Sequence, residues 1–266
     1  PRRRPGGDQL SEEVPPHSLQ ANPISPALVI ATWCPNDERL HMRILLSALG
    51  AAALTLPSSA QEDAPEKEST PTFLNRRGTE HFFAGRIAES LQDWDRVVKM
   101  VPRQAPHHWQ RGIALYYAGR YGDGVAQFKI HQTVNGTDVE NAVWHFICAV
   151  RAKGGTVKNA REKMYPYAGD RRVPLREVHA LFKGTGSTEK VLAAAGRDQS
   201  DKLKLRNHLC YAHLYLGLYY EALGETGKAA EHMKKAAVDY KMDHYMGKVA
   251  QIHHNLRTGK KQPVRQ

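Results

Sequence analysis

Small and aromatic positions recur along this chain at a fixed offset, with polar stretches between them. Gly78, Gly85, Ser90, Trp94 and Pro102 return as Gly112, Gly119, Gly124, Phe128 and Gly136, each 34 residues on. That period matches one pair of antiparallel helices with its turns. Packing explains the pattern: a small residue on the first helix lets the second approach closely, and an aromatic from the second fills the gap. The predicted unit is a helical hairpin, and such hairpins stack to bury a shared core.

A third copy lies far down the chain. Leu216, Gly217, Tyr220, Gly224, Ala229 and Ala236 fall at the spacings of the tetratricopeptide repeat (TPR) signature. Gly112 and Gly217 are 105 residues apart, three periods of 34 plus 3, so intervening helical units keep the stack in approximate phase. Between them, Ala142 to Arg151 reads as the first helix of a third unit, carrying Trp144 and Phe146, and Ala160 lies where its second helix runs. His81 and Leu115 depart from the Tyr that the motif prefers, Ser90 and Gly124 from its Ala. The expected fold class is all-α, a TPR helix-turn-helix superhelix with repeats at about 71–104, 105–138, 139–172 and 210–243 and a C-terminal capping helix at about 243–257.

Residues 42–60 follow a different pattern. Met42 and Arg43 precede an uncharged 13-residue stretch, Ile44 to Leu56, and then Pro57, Ser58, Ser59 and Ala60. That is the layout of a secretory signal peptide cleaved after Ala60. The apolar run falls short of the roughly 20 residues a membrane-spanning helix needs. The mature chain is therefore expected to be 61–266, periplasmic or secreted, with no transmembrane helix. Residues 1–41, rich in Arg, Pro, Gly and Ser, are expected to be disordered or an over-extended gene model, and 61–71 a polar linker.

Charge adds a second surface property. The net charge of +11 survives cleavage, because residues 1–60 hold five basic and five acidic side chains. Arg151, Lys153, Lys158, Arg161, Lys163, Arg171, Arg172 and Arg176 form a basic stretch that attracts anionic surfaces such as acidic proteins or envelope polymers. No nucleic-acid partner is expected, since no nucleic-acid fold signature accompanies the charge. Of three cysteines, Cys148 and Cys210 remain after cleavage; they read as two small buried hydrophobes or as a disulfide pair. Fourteen histidines include the neighbours His107 with His108 and His253 with His254, which point about 100° apart on a helix and do not chelate. No metal or other cofactor is expected, and no nucleophile elbow or P-loop is present to suggest an enzyme.

Helical arithmetic locates an inner face. Residues three to four positions from the packing face look into the concave groove of a TPR stack. In the first unit these are Asn75, Thr79, Phe82 and Phe83; in the second Trp109, Ile113, Tyr116 and Tyr117; in the third Arg151. An aromatic groove with few charges suits an apolar or helical peptide segment.

The stretch Arg111-Gly112-Ile113-Ala114-Leu115-Tyr116-Tyr117-Ala118-Gly119-Arg120 resembles part of the NlpI-type periplasmic TPR lipoproteins. So does His208 to Leu256, where Tyr215-Leu216-Gly217-Leu218-Tyr219-Tyr220 precedes Leu223-Gly224 and two further helices. The resemblance extends over most of 72–256. It implies an envelope adaptor that dimerises, docks a tail-specific protease and holds peptidoglycan hydrolases near it, with no catalytic residues. The lipobox cysteine of that family is missing here, which favours a soluble periplasmic form over an anchored one. The sequence thus predicts an exported adaptor that grips a protein or peptide in its groove. The alternatives are a basic envelope-polymer binder and an architectural self-assembly module.

Overall fold

The computed structural model describes residues 70–259. The expected signal peptide at 42–60, the segment 1–41 and the linker up to residue 69 lie outside the described residues. Helix α1 (Pro71–Phe83) begins inside the expected linker, capped by the Thr70 hydroxyl, which accepts from the Phe73 amide at 3.2 Å. Pro71 suits the first turn because its missing N–H has no helical partner there.

The hairpin partner of α1 and then four more helix pairs follow. These are α2 (Ile87–Met100), which completes the first hairpin, then α3 (Trp109–Tyr117) with α4 (Tyr121–His131), and α5 (Val139–Arg151) with the short α6 (Val157–Glu162). Next come α7 (Leu175–Lys183) with α8 (Thr188–Ala195), and α9 (Lys202–Ala222) with α10 (Thr226–Lys234), which runs into a π turn at Lys235–Asp239. The last described helix is α11 (Tyr245–Thr258). No strand occurs among the described residues. Each helix packs on the next in order up to α10; in addition α5 packs on α3, α7 on α5, and α9 on both α5 and α7, and α11 then turns back onto α9, α10 and α1. No helix among the described residues is long and apolar enough to cross a membrane.

Three hairpins are closed by one device. A Cβ on Gly78 would lie 2.6 Å from Trp94 Nε1, one on Gly112 2.6 Å from Phe128 Cζ, and one on Gly217 2.9 Å from Met233 Cε. Against the rigid rings of Trp94 and Phe128 only a residue without a side chain admits the partner at that distance, whereas the flexible end of Met233 can shift. The turns repeat as well. Gly85, Gly119 and Gly224 take φ of 74°, 73° and 79°, and the following amides of Arg86, Arg120 and Glu225 each reach back 2.9 Å to a carbonyl of the helix before, on His81, Leu115 and Tyr220. This is the left-handed glycine ending that satisfies the last carbonyls of a helix. Side chains also pair across equivalent slots: Arg77 grips Asp93 at 2.6 and 2.8 Å, and Arg111 reaches Gln127 at 2.8 Å.

The middle is less regular. The pair α5 and α6 is followed by residues 163–174 without a helix, and α7 and α8 form their own short hairpin before α9. The two cysteines are free thiols buried in separate places, so the disulfide alternative does not apply. Cys148 fills the space beside Gly124, and Cys210 Sγ donates to the Ala236 carbonyl at 3.5 Å.

Candidate functional site

The nine residues expected to line the groove fall into three groups. Phe82, Ile113 and Tyr116 are at most 1% exposed and belong to the core. Asn75, Thr79, Phe83, Trp109 and Tyr117 are half-buried, and Arg151 is exposed, its guanidinium 5.7 Å from the Tyr121 ring. The polar members are committed within the stack: Asn75 Oδ1 bonds His108 Nε2 at 2.8 Å and the Thr79 hydroxyl donates to the Asn75 carbonyl at 2.9 Å. Asn75 and Thr79 therefore tie α1 internally and to the chain before α3.

The aromatic members form one surface, and α11 lies on it. The Tyr245 ring sits 4.6 Å from Trp109, 5.0 Å from Phe83 and 6.1 Å from Phe82. Lys248 Nζ lies 4.7 Å above the Phe83 ring, and the Tyr117 hydroxyl bonds His253 Nδ1 at 3.2 Å. Over the first two units, the face expected to be the groove is therefore occupied by the chain's own helix. The physical cause is mutual burial: Met246, Val249, Ala250 and Ile252 on α11 would otherwise face water together with the rings.

Beyond the rings lies a buried charge. Glu221 on α9, 8% exposed, accepts from the Tyr116 hydroxyl at 2.7 Å, from Arg257 Nη2 at 2.6 Å and from His253 Nε2 at 2.7 Å. Burial alone would raise the Glu221 pKa; its bonds to His253, Arg257 and Tyr116 outweigh that and hold it well below the usual carboxylate range. A carboxylate stripped of water needs this many donors to remain charged. Sequence reasoning assigned none of Glu221, Tyr245, His253 and Arg257 to the site. One signal was present, since Glu221 occupies the slot of Tyr116 when the third copy is laid on the second.

A second polar group surrounds Arg172. Its Nη2 lies 2.5 Å from Asp138 Oδ1 and 2.6 Å from Asp170 Oδ2, and its Nη1 3.5 Å from Glu140 Oε2. Burial pushes the Glu140 carboxyl up to about 7 in spite of that guanidinium. Tyr215 lies beside Glu140, yet its hydroxyl and Glu140 Oε1 are both buried without a regular hydrogen bond among the described residues. Of the basic stretch, Arg172 is thus engaged, and Arg161 donates to the Phe182 carbonyl and the Tyr219 hydroxyl. Arg151, Lys153, Lys158, Lys163, Arg171 and Arg176 are exposed. Among the described residues no three His, Cys, Asp or Glu side chains are placed to hold a metal ion. This geometry holds α11 by aromatic contact at one end and by charge at the other. No protein-family model matches the chain.

Proposed function

We propose that this protein is an exported TPR-type adaptor that holds a helical or apolar segment of another protein against the inner face of its hairpins. The observation that carries this reading is the seat itself: Phe82, Phe83, Trp109 and Tyr117, supplied by two hairpins of the same build, accommodate one helix along its length. Rings of this kind offer large contact area at low entropic cost, which suits them to bind protein segments. The NlpI-type resemblance further suggests an envelope setting beside proteases and peptidoglycan hydrolases. A photo-crosslinking side chain placed at Phe83 or Arg151 on the inner side, and at Arg96 or Lys129 on the second helices of the hairpins, tests this. Adducts confined to the inner positions are expected; adducts only at Arg96 and Lys129 overturn the reading.

The exposed basic residues favour one other reading, binding of an anionic envelope polymer. That predicts retention on an anionic polymer that falls steeply between low and high salt and is lost when Arg151, Lys153 and Lys158 are neutralised together.

A further inference from the structure

We infer that α11 is a displaceable stand-in for the client, and that the client is an amphipathic helix with an aromatic anchor followed, eight and twelve positions on, by basic or hydrogen-bond-donating side chains. This rests on the adaptor reading above and names the partner's chemistry. Three observations carry it. The seat is bipolar: Tyr245 enters the ring cluster of Phe82, Phe83 and Trp109, while His253 and Arg257 meet Glu221. Any helix that takes this place must bring donors to Glu221, because a buried carboxylate cannot be left alone. Next, α11 is an imperfect occupant. The Tyr245 hydroxyl is buried with no hydrogen-bond partner among the described residues, a penalty that a phenylalanine at the anchor would avoid. Finally, α11 joins the hairpins through the non-helical stretch 240–244, and because it also packs on α9, α10 and the π turn, a client that replaces it must bring an apolar face of its own to cover them.

A tethered helix competes at an effective concentration on the order of 1 mM, so a free client sees only the fraction of molecules in which α11 has left. The test uses the full chain. A fluorescent peptide of residues 243–259 carrying the Tyr245→Phe change is titrated into the wild type and into a Tyr245→Ala/Arg257→Ala variant. Polarisation is expected to show binding about tenfold or more tighter to the variant. The same peptide with Ala at the anchor, or with Glu in place of Arg257, should lose binding. Equal affinity for both proteins, or no binding to a variant that keeps its helical circular dichroism, overturns the inference. If the variant fails to fold, hydrogen exchange on the wild type decides. Amides of α11 should exchange about tenfold or more faster than those of α3 and α9, whereas equal protection refutes a displaceable helix. A client captured at the inner positions while α11 stays fully protected would leave the adaptor standing and remove only this inference.

Discussion

Tyr116 and Glu221 hold equivalent slots in hairpins 105 residues apart, and they meet: the tyrosine hydroxyl donates to Glu221 Oε1 at 2.7 Å. A repeat that offers a ring in its early copies offers a carboxylate in its last. The inner face therefore changes character along its length, and α11 matches the change with Tyr245 at one end and Arg257 at the other.

Removing that charge should be expensive. Glu221→Gln leaves His253 and Arg257 with a neutral acceptor and should lower stability by about 3 kcal/mol. Urea unfolding at neutral pH measures it. A loss below about 1 kcal/mol would show that α11 is held by its apolar face alone.

The glycine device makes a sharper contrast. Gly112→Ala drives a methyl group into the Phe128 ring, which is itself fully buried, and should cost about 1–3 kcal/mol by overpacking. Gly122→Ala, in α4 with nothing within 4 Å of the new carbon, should stabilise by about 0.4–1 kcal/mol through the unfolded chain. The two urea midpoints should move in opposite directions.

Stability should depend on pH through two opposed groups. The Glu140 carboxyl, raised from 4.5 to about 7 mainly by burial, favours the folded state below pH 4.5, and that advantage is lost as the pH rises to about 7. His108, His145 and His213, each lowered from 6.5 to about 4 chiefly by burial, act the other way. Their contribution is complete above pH 6.5 and is lost as the pH falls toward 4. Each is worth on the order of a few kcal/mol. In Glu140→Gln, stability should therefore climb more steeply between pH 4.5 and 7 than in the wild type. A parallel profile in urea titrations would contradict the burial of Glu140.

Both described thiols should be inert. Burial raises Cys148 far above the range of a reactive thiol and Cys210 to about 12. Peptide mapping after maleimide treatment should find neither labelled in the native protein and both labelled in guanidinium. Labelling of Cys148 in the native state would mean that α4 and α5 separate.

The sequence was most readable where one contact repeats. Gly78 with Trp94 and Gly112 with Phe128 can be found by offset alone, and Gly217 with Met233 by the same spacing within its hairpin. The fate of the inner face was not readable. The periodicity of α11 shows that it has an apolar side, but nothing local says that this side returns to α1 and α3. The Arg172 group was hidden for a similar reason, since Asp170 and Arg172 come from the irregular stretch after α6 and meet Asp138 and Glu140 only through the fold.

Because Tyr245 is made long after Phe82, the order of synthesis has a cost. At typical translation rates the early rings wait on the order of ten seconds for the helix that shields them. During that interval the nascent hairpins present a sticky aromatic strip, a natural landing place for a holding chaperone and a point where slow elongation would invite clumping.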